Sequence, residues 1–129
     1  MQFRRFEHIN QTCRNLNETR EFYQTLFPDW TVRAEGVEGG WRWQHFGDHQ
    51  FYLALNQPPN STEVTQSTGH LEHVGFVIED GEAMKQLLDK QGIEYTVFKS
   101  PETKSRIYVN DPDGTEIELV EYEDTYELR

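Results

Sequence analysis

The stretch Arg106-Ile-Tyr-Val-Asn-Asp-Pro-Asp-Gly-Thr-Glu-Ile-Glu-Leu-Val-Glu-Tyr122 decides how this chain folds. Two runs of alternating apolar residues flank Asp111-Pro112-Asp113-Gly114, a Pro/Gly turn that predicts a β-hairpin. In the second run Ile117 and Leu119 point to one side, and Glu116, Glu118 and Val120 to the other. With Ile117 and Leu119 on a core, Glu118 faces whatever lies across the sheet. For a lone glutamate that is solvent; with other donors on matching strands it is a site.

The segments before the hairpin repeat an order met earlier in the chain. Residues 3–10 alternate as a first strand, with Phe6, His8 and Asn10 on one face. Asn17 is the expected N-cap of a helix whose apolar stripe is Phe22, Tyr23, Leu26 and Phe27, and Pro28 stops it. Strands are expected over 29–35, 41–46 and 50–56, with a loop marked by Gly36, Gly39 and Gly40. A polar segment containing Pro58 and Pro59 follows and has no periodicity. The order then starts again. A strand over 70–78 carries Leu71, His73, Gly75 and Val77 on one face. Asp80 caps a helix with Ala83, Met84, Leu87 and Leu88 inside, and Gly92 ends it. A strand over 93–98 leads to the hairpin.

The repeat can be tested residue by residue, and the matches agree on nearly one register. A shift of 65 carries His8 onto His73, Phe22-Tyr23 onto Leu87-Leu88, and Asp29-Trp30-Thr31-Val32 onto Glu94-Tyr95-Thr96-Val97. After a one-residue gap the shift is 64 and carries Arg42 onto Arg106, Leu53 onto Ile117 and Leu55 onto Leu119. The expected organisation is a βαβββ module over 1–57, a linker over 58–67, a second βαβββ module over 68–122 and an acidic tail over 123–129.

Composition narrows the class. A chain of 129 residues suffices for one domain with a real core. The net charge of −11 and the lack of a basic patch exclude nucleic acid as the expected partner. Cys13 is the single cysteine, so no internal disulfide forms, which fits a reducing compartment. No apolar run approaches membrane-spanning length and no secretory h-region opens the chain, so a soluble cytoplasmic protein is expected, with no membrane partner.

The motifs Phe-Glu-His8-Ile, Leu71-Glu72-His73-Val74 and Asn110-Asp-Pro-Asp-Gly-Thr-Glu-Ile-Glu118-Leu resemble those of the glyoxalase/bleomycin resistance protein/extradiol dioxygenase group, the vicinal oxygen chelate superfamily. The resemblance covers nearly the whole chain, and the Pro-Asp-Gly turn followed by a strand glutamate is its most specific part. It implies an α+β fold: two tandem βαβββ modules forming a cupped, half-barrel mixed sheet with flanking helices. It also implies a divalent metal ion inside the cup, held by residues of the first and last strands of the modules. Carried over by position, the metal ligands are His8, His73 and Glu118. Glyoxalase-I-like members have a further carboxylate where this chain has Ala54, which argues against that reaction. The three-ligand set is more similar to the extradiol dioxygenases or the fosfomycin-resistance thiol transferases. The latter carry basic residues near the C-terminus, whereas Glu121, Glu123, Asp124 and Glu127 stand here.

Two imidazoles and one carboxylate leave one face of a cation open, an arrangement that suits Fe(II), Mn(II), Zn(II) or Ni(II). A substrate chelating through vicinal oxygens then meets a Lewis acid or shares the ion with O2. The implied function is a metal-dependent lyase, isomerase or dioxygenase acting on a small metabolite. The alternative is a metal-free binding protein of the bleomycin-sequestering type. Glu118, Glu116 and Tyr52 are the catalytic candidates, with His45 as a further acid or base; each is otherwise a solvated or capped polar residue. Trp43, with Trp41 and neighbouring aromatics, either packs a core or walls a pocket for a hydrophobic ligand. Arg42 and Arg106 either clamp a substrate carboxylate or are strand-edge charges. A homodimer is expected, because paired modules of this kind leave sheet edges exposed.

Overall fold

The computed structural model describes residues 5–59, 71 and 73–124. It is an α+β chain of two βαβββ modules, which fall in two compact units, 1–67 and 68–129. The first module comprises β1 (His8–Thr12), α1 (Leu16–Leu26), β2 (Thr31–Glu38), β3 (Trp41–Gly47) and β4 (Tyr52–Gln57). The second comprises β5 (His73–Val77), α2 (Gly81–Gln91), β6 (Thr96–Val97), β7 (Thr103–Asn110) and β8 (Glu116–Tyr122). The sheets share one topology, β1-β4-β3-β2 and β5-β8-β7-β6, with the first strand of each parallel to the last.

Each module buries one sheet face under its helix. In the first, Leu16, Tyr23 and Leu26 of α1 are buried with Phe46, Leu53, Leu55 and Cys13. In the second, Met84 and Leu88 of α2 are buried with Ile107, Val109, Ile117 and Leu119. The alternation read in the hairpin is therefore present: Ile117 and Leu119 belong to the core, and Glu116, Glu118 and Val120 occupy the opposite face. Gly114 closes the turn with φ 85°, a conformation open to glycine at little cost.

Local chemistry moved several expected boundaries. The cap of α1 is Asn15, not Asn17; its Oδ1 accepts Glu18 N–H at 3.0 Å. Starting the helix at Leu16 places that side chain in the core, which a start beyond Asn17 forgoes. Asp80 and Gly92 act as expected, Asp80 accepting Ala83 N–H at 3.0 Å and Gly92 taking φ 67°. Ala83, placed inside by its spacing, is exposed. Gly36 lies within β2 rather than in a loop, directly opposite Trp43. A Cβ there would stand 3.0 Å from the indole, so the glycine admits the ring. The turn is only Gly39-Gly40, at φ 58° and 83°.

The strand expected over 93–98 is reduced to Thr96–Val97. Ile93 N–H bonds to Leu88 O at 2.9 Å and the Tyr95 phenol bonds to Asp89, so the chain stays tied to the end of α2. β5 begins at His73, and most of the expected linker and tail falls outside the described residues, as do residues 3 and 4 of the expected first strand.

Candidate metal and ligand site

In the second module, the parallel ladder sets His73 beside Glu116 and Gly75 beside Glu118. His73 Nε2 stands 3.3 Å from Glu118 Oε2, and its Nδ1 stands 3.8 Å from Glu116 Oε1. The imidazole thus lies between the two carboxylates. Glu118 is buried at 8% exposure, whereas about half of the Glu116 and His73 side chains is exposed. Among the described residues, nothing lies within 4 Å of where a Cβ on Gly75 would be, which leaves space beside the pair.

Arg106 engages the same carboxylate. Its Nη1 donates to Glu118 Oε1, and its Nη2 lies 3.4 Å from Ser100 Oγ and 3.7 Å from Glu102 Oε1. Burial disfavours its charge, but the hydrogen bond with Tyr108 and the Glu118 carboxylate outweigh burial and raise its pKa. Arg106 is therefore committed within the protein and is not a free clamp for a substrate carboxylate. The ladders also correct its repeat partner. Arg106 is opposite Val120 and Arg42 is opposite Gln57, so the residue matching Arg106 is Trp43, opposite Asn56. A one-residue slip reverses the face. Arg42 alternates with Trp43 and His45 and lies on the other side of its sheet.

In the first module, His8 Nδ1 meets Glu7 Oε1 at 2.7 Å, and the Tyr52 hydroxyl donates to the same oxygen at 3.4 Å. The hydrogen bond from His8 is the main cause holding the Glu7 carboxyl below its usual value. A neutral His8 that donates Nδ1–H to Glu7 would carry its lone pair at Nε2. Tyr52 stacks on His8 at 4.9 Å and on His45 at 4.5 Å between ring centroids, with the Arg33 guanidinium 4.4 Å from its ring. Trp43 continues the row, 5.0 Å from His45. Tyr52, read from sequence as an acid, thus supports Glu7 and His8. His45 lies opposite Ala54, and burial, with the charges of His8 and Arg33, lowers its pKa.

Glu7 and Arg33 were not singled out by the sequence. Glu7 directly precedes His8, but neighbours on a strand point to opposite faces. Glu7 escapes that rule because β1 starts one residue later. Arg33 reaches Tyr52 where the β2 register shifts between Val32 and Ala34.

A cleft of about 930 Å³ in the second module is lined by Asp89, Tyr95, Thr96, Tyr108, Asn110 and Glu116, among others. It opens where β6 leaves β7 after two residue pairs, and Glu116 joins it to His73.

Among the described residues, no three His, Cys, Asp or Glu side chains are gathered as a metal-holding group. The structure brings His73 and Glu118 together as a pair. In the second module the donor types nonetheless fit a divalent cation, with an imidazole nitrogen of His73 beside a carboxylate oxygen of Glu118.

The sheet topology is that of a known family. Residues 5–119 match the model of the Glyoxalase/Bleomycin resistance protein/Dioxygenase superfamily, and the chain belongs to that superfamily. It is 26% identical over 119 residues to the Arabidopsis thaliana protein Glyoxylase I 4, covering 87% of this chain and 67% of that protein. Its fold is similar to the glyoxylase/bleomycin resistance protein/dioxygenase domain from Frankia sp. EAN1pec, with TM-score 0.81, 18% identity and coverage of 97% and 96% of the two chains. It is also similar to the fosfomycin resistance protein FosX from Listeria monocytogenes, solved with Mn(II) and 1S,2S-dihydroxypropylphosphonic acid. That comparison gives TM-score 0.70, 18% identity and coverage of 92% and 93%.

Proposed function

We propose that this protein is a divalent-metal-dependent enzyme acting on a small metabolite with vicinal oxygens, and that His8, His73 and Glu118 are its metal ligands. The observation that carries this reading is the approach of His73 Nε2 to Glu118 Oε2 at 3.3 Å on a sheet face with open space beside it. The Mn(II) complex of the structurally similar FosX supports the choice of a divalent ion. Bound there, such an ion supplies Lewis acidity to a chelated substrate oxygen.

The chain's own residues do the rest. Glu7 fixes the His8 tautomer, and the stacked Tyr52 ring holds the imidazole plane. Glu116 is the proposed proton acceptor: it is half exposed and lies 3.8 Å from His73 Nδ1, beyond hydrogen-bond reach, so its oxygens remain available to substrate. Trp43 provides an apolar wall. Ala54, opposite His45, offers no second carboxylate, so a reaction requiring two metal-bound glutamates is disfavoured. Elemental analysis and Mn(II) titration of protein purified without chelator test the reading. About one equivalent is expected; uptake below about a tenth of an equivalent removes it.

A metal-free binding protein is the second reading. It is favoured by the row of His8, Tyr52, His45 and Trp43 rings, and by Arg106 already neutralising Glu118. On this reading a planar aromatic cation quenches tryptophan emission equally with and without chelator, and His73→Ala leaves the quenching intact. Loss of quenching in that variant would count against it.

A further inference from the structure

The carboxylate of Glu118 is divided between two partners. Arg106 Nη1 donates to Oε1, while Oε2 faces His73 Nε2 at 3.3 Å. Arg106 is opposite Val120, and Glu118 is opposite Tyr108, so the two are diagonal neighbours on one sheet face. The matching positions of the first module are Trp43, opposite Asn56, and Ala54, opposite His45. Guanidinium and carboxylate thus occur together in one module and are absent together from the other. The guanidinium is also held from behind, with Ser100 Oγ at 3.4 Å and Glu102 Oε1 at 3.7 Å from Nη2. Its side chain is only 18% exposed, too enclosed to turn toward a ligand without breaking these contacts.

We infer that Arg106 is the positioning residue of Glu118 and limits it to one donor oxygen. By occupying Oε1, Arg106 leaves Oε2 as the oxygen that a cation beside His73 takes. This inference rests on the metal-binding reading above. Its chemical consequence is an extra vacancy. A carboxylate bound through both oxygens fills two coordination positions, whereas one bound through Oε2 alone leaves the second for a substrate oxygen. That vacancy is what a chelating substrate requires, because it needs two adjacent positions. An arginine suits the task because its planar fork fixes orientation, where a lysine supplies a point charge on a flexible stem.

Two measurements on the full chain test the assignment. The first is metal-free: a double-mutant cycle of Arg106→Met and Glu118→Gln, followed by urea unfolding in chelator. The two changes should be non-additive by about tenfold in the unfolding constant; additive effects overturn the pairing. The second adds Co(II) to the wild type and to Arg106→Met and records the visible spectrum. Release of Oε1 in the variant should raise the coordination number, giving a weaker band at shorter wavelength. An unchanged spectrum overturns the limit to one oxygen. Should Arg106→Met fail to fold, Arg106→Lys keeps the charge without the fork and should shift the spectrum the same way, by less. Failure of the wild type to take up Co(II) refutes the metal reading and the single-oxygen role with it, while the cycle still decides the pairing.

Discussion

Replacing Glu118 by glutamine removes one charge and little volume, which isolates the electrostatic role of this residue. Glu118 is 8% exposed and the Arg106 side chain 18%, so the pair lies between a buried and a surface ion pair. Removing one partner of a fully buried pair costs about 3–5 kcal/mol. An exposed pair is worth about 0–1 kcal/mol. After the change Arg106 keeps Glu102 at 3.7 Å and a partial hydrogen bond to the new amide, which moderates the loss. The expected destabilisation of Glu118→Gln in chelator at neutral pH is therefore about 2 kcal/mol, between those limits. For a chain of this size that lowers Tm by about 6–10 °C. Urea denaturation followed by tryptophan fluorescence measures it, with an unchanged m-value as the sign that the denatured state is unaltered. In the wild type, Mn(II) at about 100 times its Kd should add about 2.7 kcal/mol, a gain the variant should largely lose. A change smaller than about 0.5 kcal/mol without metal, the range of ordinary surface substitutions, would refute the view that Glu118 and Arg106 form a desolvated pair.

Leu88→Ala, which empties a fully buried position of α2 against the second sheet, should cost about 2–5 kcal/mol in the same urea assay. His45 has a folded pKa below its unfolded 6.5, so it binds fewer protons folded than unfolded. Its contribution to stability is present above about pH 6.5 and is lost as pH falls below that value. His45→Gln should flatten the stability profile of the wild type in that acidic window, and an unaltered profile counts against the assignment. The proposed homodimer should sediment at twice the 15.3 kDa chain mass at micromolar concentration, and a species of chain mass alone would end that proposal.

The repeat and the hairpin were legible because both depend on periodicity and turn chemistry, which act locally. The two histidines at the heads of β1 and β5, and the glutamate of β8, could be placed on strands by alternation alone. Register could not. A shift of 64 matched Arg42 to Arg106, yet the ladders match Trp43 to Arg106, and that single residue moves Arg42 to the other side of its sheet. Gly36 resembled a loop residue because its reason for being glycine, the Trp43 ring, comes from the partner strand. Asn17 was a sound cap by composition, but Asn15 gains the burial of Leu16. The Glu7–His8 contact was invisible because it depends on where β1 begins.

The paired differences at Trp43 and Ala54 bear on what the first sheet tolerates. A glutamate placed at position 54, which is 5% exposed, would bring a charge into the first sheet without the diagonal guanidinium that accompanies Glu118 in the second. A change at 54 alone is therefore expected to cost more stability than the same change made with an arginine at 43.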